Sequence, residues 1–167
     1  MSLDVLSERG QESIEQENRA IEIFESCYLS HRYVRTPKSQ PPRLDGVVLQ
    51  KGKLYAVAEC KCRPTLTYAQ LFGQFGGEWL VTWSKVQAGL TAFELFNVGM
   101  IGLLYLLPDD VVLLVRIVDD NGHLVPKVRV AATETQRTIN GGTIIRNNAY
   151  IDMSKAKTIR FNSGAMT

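Results

Sequence analysis

The chain is short of the residues that build disulfide or zinc scaffolds, and its charges nearly cancel. Its 167 residues hold three cysteines and two histidines, and 19 lysines and arginines stand against 17 aspartates and glutamates. Cys27, Cys60 and Cys62 are an odd set without framework spacing, which excludes a disulfide-built fold. Two histidines leave little for a Cys/His zinc site, and reduced thiols fit a cytoplasmic protein. A net charge of +2 excludes a strong global field while leaving room for a local basic patch. No basic-then-apolar leader opens the chain, and the apolar run from Val98 to Leu107 stops at Pro108 and two aspartates. That run is too short to cross a bilayer, so a soluble protein without a membrane partner is expected.

What is present suits one globular domain. The composition is 45% hydrophobic and 22% charged, and the length is enough to bury a core. Ser13 and Gln16 have capping-box spacing and predict a helix from there to about Ser30. Ile14, Ile21, Phe24 and Tyr28 form its buried stripe, and Glu17 falls on the same stripe. A short strand is expected over His31 to Thr36, then a hairpin, Arg43 to Leu49 and Lys53 to Cys62. The pattern from Leu66 to about Phe96 is helical, broken near Gly76-Gly77. Met100 to Leu107 and Val111 to Val118 are continuously apolar, as buried central strands are. After residue 118 the periodicity fades, with strands expected over Lys127 to Ala131 and Ala149 to Met153. Asp109-Asp110 and Asp119-Asp120 read as turns. The expected class is α/β, a single domain with its core over about 13–118 and an extension over 119–167.

The hairpin is the informative segment. It is apolar, yet it carries Asp45, Glu59 and Lys61. Strand alternation puts Glu59 and Lys61 on one face. A three-residue turn, Gln50-Lys51-Gly52, would place Asp45 opposite Val57 and diagonal to Glu59 on that face. A two-residue turn would send the two acids to opposite faces, and the three-residue turn is the better match to the sequence. Two close carboxylates repel unless a cation lies between them, and their hard oxygens suit Mg²⁺ or Mn²⁺. A lysine beside them is placed to serve a water or a phosphate.

Asp45 followed by Glu59-Cys60-Lys61 resembles the active-site signature of the PD-(D/E)XK nuclease superfamily. The resemblance implies a restriction-endonuclease-like core, a central mixed sheet flanked by helices in the order αβββαβ. It implies that Asp45, Glu59 and the Cys60 carbonyl hold the metal. Glu17, in Glu17-Asn18-Arg19-Ala20, would join them directly or through water. Lys61 would assist a metal-activated water attacking a DNA phosphodiester in line. Leu44 stands where the signature names proline. By the same resemblance Arg63, Gln70, Gln74 and Lys85 lie where the helix after the strands meets DNA. The expected function is therefore a Mg²⁺- or Mn²⁺-dependent deoxyribonuclease, and the small size of the chain adds the expectation of a homo-oligomer whose paired sites would suit cutting two strands. The alternatives are a non-catalytic nucleic-acid-binding or oligomeric assembly domain with the same fold, or a structural protein whose charges form a salt-bridge ladder.

Overall fold

The computed structural model describes residues 8–37, 44–136 and 142–166. The expected strand start at Arg43 lies outside them. The chain opens with helix α1 (Glu8–Cys27), strand β1 (His31–Arg35), strand β2 (Gly46–Gln50) and strand β3 (Lys53–Arg63). Then come α2 (Tyr68–Gly73), β4 (Glu78–Thr82), α3 (Trp83–Phe96), β5 (Gly99–Leu106) and β6 (Val111–Val118). The remainder adds β7 (Val128–Gln136), β8 (Thr143–Asp152) and β9 (Lys157–Ile159). The fold is α/β. Six strands form a mixed sheet in the order β1-β2-β3-β5-β6-β9, and β4-β8-β7 form a second sheet.

Within the larger sheet β1, β2 and β3 run as an antiparallel meander. Strand β5 lies parallel to β3, which requires a long crossover, and α2, β4 and α3 supply it. Every residue of β5 is buried, as is most of β6, because both of their faces are covered. On one face Ala20, Ile23 and Phe24 of α1 pack against Tyr33, Val48, Ala58, Cys60 and Leu103. On the other, Val86 and Ala92 of α3 join Val57, Met100, Leu104, Trp79 and Ile151.

Four expectations are corrected. Helix α1 begins at Glu8, so Ser13 and Gln16 lie inside it and cap nothing. The long helical pattern hides strand β4. Leu71, Phe75 and Trp79 recur at four-residue steps, but left-handed backbone at Gly76 and Gly77 (φ 66 and 70) turns the chain before Glu78. From there Trp79 and Val81 alternate inward as strand residues. The segment after residue 118 is more than an extension. It builds two strands of the second sheet, and β9 pairs with β6 in the first. The fourth correction concerns the hairpin turn and decides the geometry of the site.

Candidate metal centre

The hairpin closes through a two-residue turn. Gln50 pairs with Lys53, and Lys51 and Gly52 both take positive φ, 50 and 78, the type I′ pattern favoured between twisted strands. Continued regularly, that register would put Asp45 and Glu59 on opposite faces. It does not continue. Leu49 pairs with Leu54 but Val48 pairs with Ala56, so Tyr55 is the extra residue of a β-bulge. The bulge moves the register by one, and Gly46 meets Ala58. Asp45, one residue before β2, thus comes opposite Glu59 and faces α3 with it.

Gly46 is needed beside Asp45. A Cβ there would stand 2.5 Å from the ring of Tyr33 on the α1 face. The Asp45 carboxylate also completes the strand edge, because the Cys60 N–H donates to its Oδ2 at 3.0 Å. A strand residue directs its N–H and C=O to the same side, so the Cys60 carbonyl faces this edge as well.

The group that joins the two acids is Lys85, in the first turn of α3. Its Nζ donates to Glu59 Oε2 at 2.9 Å and to Asp45 Oδ1 at 3.2 Å. Glu59 is 5% exposed, and the Lys85 side chain about a quarter exposed. Burial pushes the Glu59 carboxyl up to about 8; the charge of Asp45 adds to the rise and Lys85 pulls against it. Burial works against the charge of Lys85, but Glu59 and Asp45 outweigh it and hold the ammonium above its ordinary range. The pair therefore pull in opposite senses: burial disfavours the charge on Glu59, and the nearby ammonium of Lys85 favours it.

The other candidate residues divide. Lys61 is exposed on the same strand face as Glu59, two residues on. Arg63 follows on that face, half-buried, and burial lowers its pKa. Gln70 is used locally. Its side chain accepts from the Thr67 N–H while Thr67 Oγ1 accepts from the Gln70 N–H, a capping box that starts α2. Gln74 is exposed at the end of α2. Glu17 belongs to the opposite face of the sheet, where its carboxylate lies 3.5 Å from Arg35 Nε. Its charge still reaches the sheet: burial, then Cys60, Asp45, Glu17 and Glu59 in turn, raise the Tyr33 hydroxyl. Among the described residues no three His, Cys, Asp or Glu side chains gather into a metal-holding group. Asp45 and Glu59 do reach one common cation, the Lys85 ammonium.

Sequence reasoning placed Lys85 among the DNA contacts, whereas its ammonium is bound to both acids. Its spacing from them, 26 and 40 residues, leaves no local pattern. The only available signal was a lysine in a helix turn without acidic neighbours, where the helix dipole disfavours a cation. At the start of α3 a cleft of about 400 Å³ is lined by Thr82, Trp83, Ser84 and Gln87 together with Arg146 and Asn147 of β8.

Comparisons with family models, curated proteins and solved structures return no match. No helix among the described residues is long and apolar enough to cross a membrane.

Proposed function

We propose that the chain is a metal-dependent nuclease with a restriction-endonuclease-like core, hydrolysing phosphodiester bonds in DNA. The observation that carries this reading is the convergence of Asp45 and Glu59 on one cation, the Lys85 ammonium at 3.2 and 2.9 Å. Two carboxylates aimed at one point, with a backbone carbonyl facing the same edge, are a donor set of hard oxygens that suits Mg²⁺ or Mn²⁺. The element order gives further support. A helix, a three-strand meander, a helix and a strand parallel to the third occur in sequence, with α2 and β4 inserted before the second helix.

In this reading Asp45, Glu59 and the Cys60 carbonyl hold the metal. When bound, the metal would supply charge neutralisation at the scissile phosphate and a water acidified enough to attack it. The chain's own contributions are positional. The bulge at Tyr55 and the small Gly46 keep the two acids opposite each other. Lys61, exposed beyond Glu59, is the base or phosphate partner. Glu17 acts across the sheet by its charge. The cleft beside α3 offers Ser84, Gln87 and Arg146 to phosphate oxygens of the bound strand, contacts that position DNA without reading its sequence.

A second reading, a non-catalytic binding or assembly domain of the same fold, is favoured by one observation, the seat of Lys85 on both acids. The test is cleavage of supercoiled plasmid, linear duplex, single-stranded and branched DNA with Mg²⁺ or Mn²⁺, using EDTA as control. Metal-dependent cleavage lost in both Asp45→Ala and Lys61→Ala supports the nuclease. Absence of cleavage on every substrate, with DNA binding intact, selects the second reading.

A further inference from the structure

We propose that Lys85 is the resident counter-ion of the acid pair, and that a divalent cation enters by displacing its ammonium. This rests on the metal-site reading above and goes beyond it, since nothing in that reading assigns the lysine a competitive role.

The argument is geometric. The Lys85 ammonium takes one oxygen from each acid, Oδ1 of Asp45 and Oε2 of Glu59. A divalent ion ligated by the same oxygens would sit about 2.0–2.2 Å from them, inside the volume the ammonium now fills. Two cations confined to one such point repel strongly in a half-buried setting, so they exclude each other. Lys85 is also built to leave. Its four-carbon stem is flexible, its side chain is about a quarter exposed, and its ion pairs are with the two acids. It stands in the first turn of α3, where the positive end of the helix dipole opposes a cation and no acidic residue of that turn offsets it. What holds it is the acid pair, and a metal that satisfies the acids releases it.

The consequence is a metal-free protein that carries its own substitute ion. Metal affinity is set by exchange against the lysine. The released ammonium remains tethered beside the centre, where an incoming phosphate is its natural partner.

The test titrates Mn²⁺ into the full chain by calorimetry, without DNA, for wild type, Lys85→Met and Lys85→Gln. The two variants differ in polarity, so folding of either suffices. In parallel, reductive methylation of wild type is followed by mass spectrometry with and without Mg²⁺, which reads the accessibility of Lys85 directly. The expected result is Mn²⁺ binding at least about tenfold tighter in the variants, and severalfold faster methylation of Lys85 when Mg²⁺ is present. Binding of equal or weaker affinity in the variants, or methylation of Lys85 unchanged by Mg²⁺, would overturn the proposal while leaving the metal site standing. No Mn²⁺ binding to any of the three proteins overturns both the metal site and the exchange.

Discussion

Among the described residues, two places join one basic side chain to two carboxylates. On the surface, Arg19 of α1 grips Asp110 through Nε at 3.1 Å and Nη2 at 2.7 Å, and Glu22 through Nη1 at 2.8 Å. Tyr105 adds a hydrogen bond to Asp110 at 2.7 Å, and the guanidinium lies 5.0 Å from the ring of Phe161. In the interior, Lys85 holds Asp45 and Glu59. Composition alone makes the two look alike; solvent makes them different. Asp110 is half exposed, and hydrogen bonds from Arg19, then Tyr105, keep its carboxyl below the usual range. Glu59 is buried and pushed the other way, to about 8. The first cluster is a satisfied clamp that ties α1 to the turn before β6. The second is a buried pair in which burial and the charge of Asp45 raise the Glu59 carboxyl against the pull of Lys85.

The strongest test of that contrast is removal of a carboxylate from each cluster. Asp45→Asn is expected to lower metal-dependent cleavage by about 10³-fold or more, in initial rates on plasmid DNA, with the far-UV spectrum unchanged. Asp110→Asn is expected to leave the rate within about twofold, as surface substitutions away from a site do.

Next in size is the pH dependence of stability without metal. Glu59 has a folded pKa above its ordinary 4.5, so the folded state retains a proton that the unfolded state releases. Stability from this group is therefore present below about pH 4.5, falls as pH rises, and levels off above about 8. At about 1.4 kcal/mol for each pH unit between the two pKa values, wild type should lose about 2 kcal/mol or more relative to Glu59→Gln. Urea unfolding of both proteins between pH 5 and 9 checks this, and saturating Mg²⁺ should flatten the difference. Asp110 has the opposite sign: its stabilisation is present above its ordinary 3.8 and is lost as pH falls below it.

A smaller effect is expected of Gly46→Ala. Its Cβ would stand 2.5–2.8 Å from the Tyr33 ring, so the ring or β2 must move, at a cost of about 1–3 kcal/mol in denaturant unfolding. Weaker Mn²⁺ binding should accompany it, because Asp45 is the adjacent residue. Smallest is Arg19→Met. The clamp is partly exposed, and its loss should cost about 1 kcal/mol or less by the same measurement, with Mn²⁺ affinity unchanged.

Much of this was legible in the chain. The apolar alternation around Asp45, Glu59 and Lys61 fixed a hairpin and brought two acids to one face, and β5 and β6 followed from uninterrupted apolar runs. The face was right for the wrong reason. The expected three-residue turn sets Asp45 opposite Val57 and diagonal to Glu59, whereas a two-residue turn and a bulge at Tyr55 keep the same face but set Asp45 directly opposite Glu59. A bulge depends on packing across strands, and no single residue announces it. Strand β4 was missed because Leu71, Phe75 and Trp79 mimic helical spacing, and five residues are too few for alternation to compete. The capping box that Gln70 closes with Thr67 has the spacing of a local sequence signal. The partnership of Lys85 with the acids is purely tertiary. It arises from how α3 crosses between β4 and β5, which a linear pattern does not record.

The central claim is that Asp45 and Glu59 form a divalent-metal centre in which Lys85 is a replaceable occupant. Anomalous diffraction from a crystal of the full chain soaked in Mn²⁺ tests it most directly. The account predicts one strong peak about 2.0–2.2 Å from a carboxylate oxygen of each acid, with the Lys85 ammonium moved off them. No peak at the acid pair, with Lys85 still bound to both carboxylates, would contradict it.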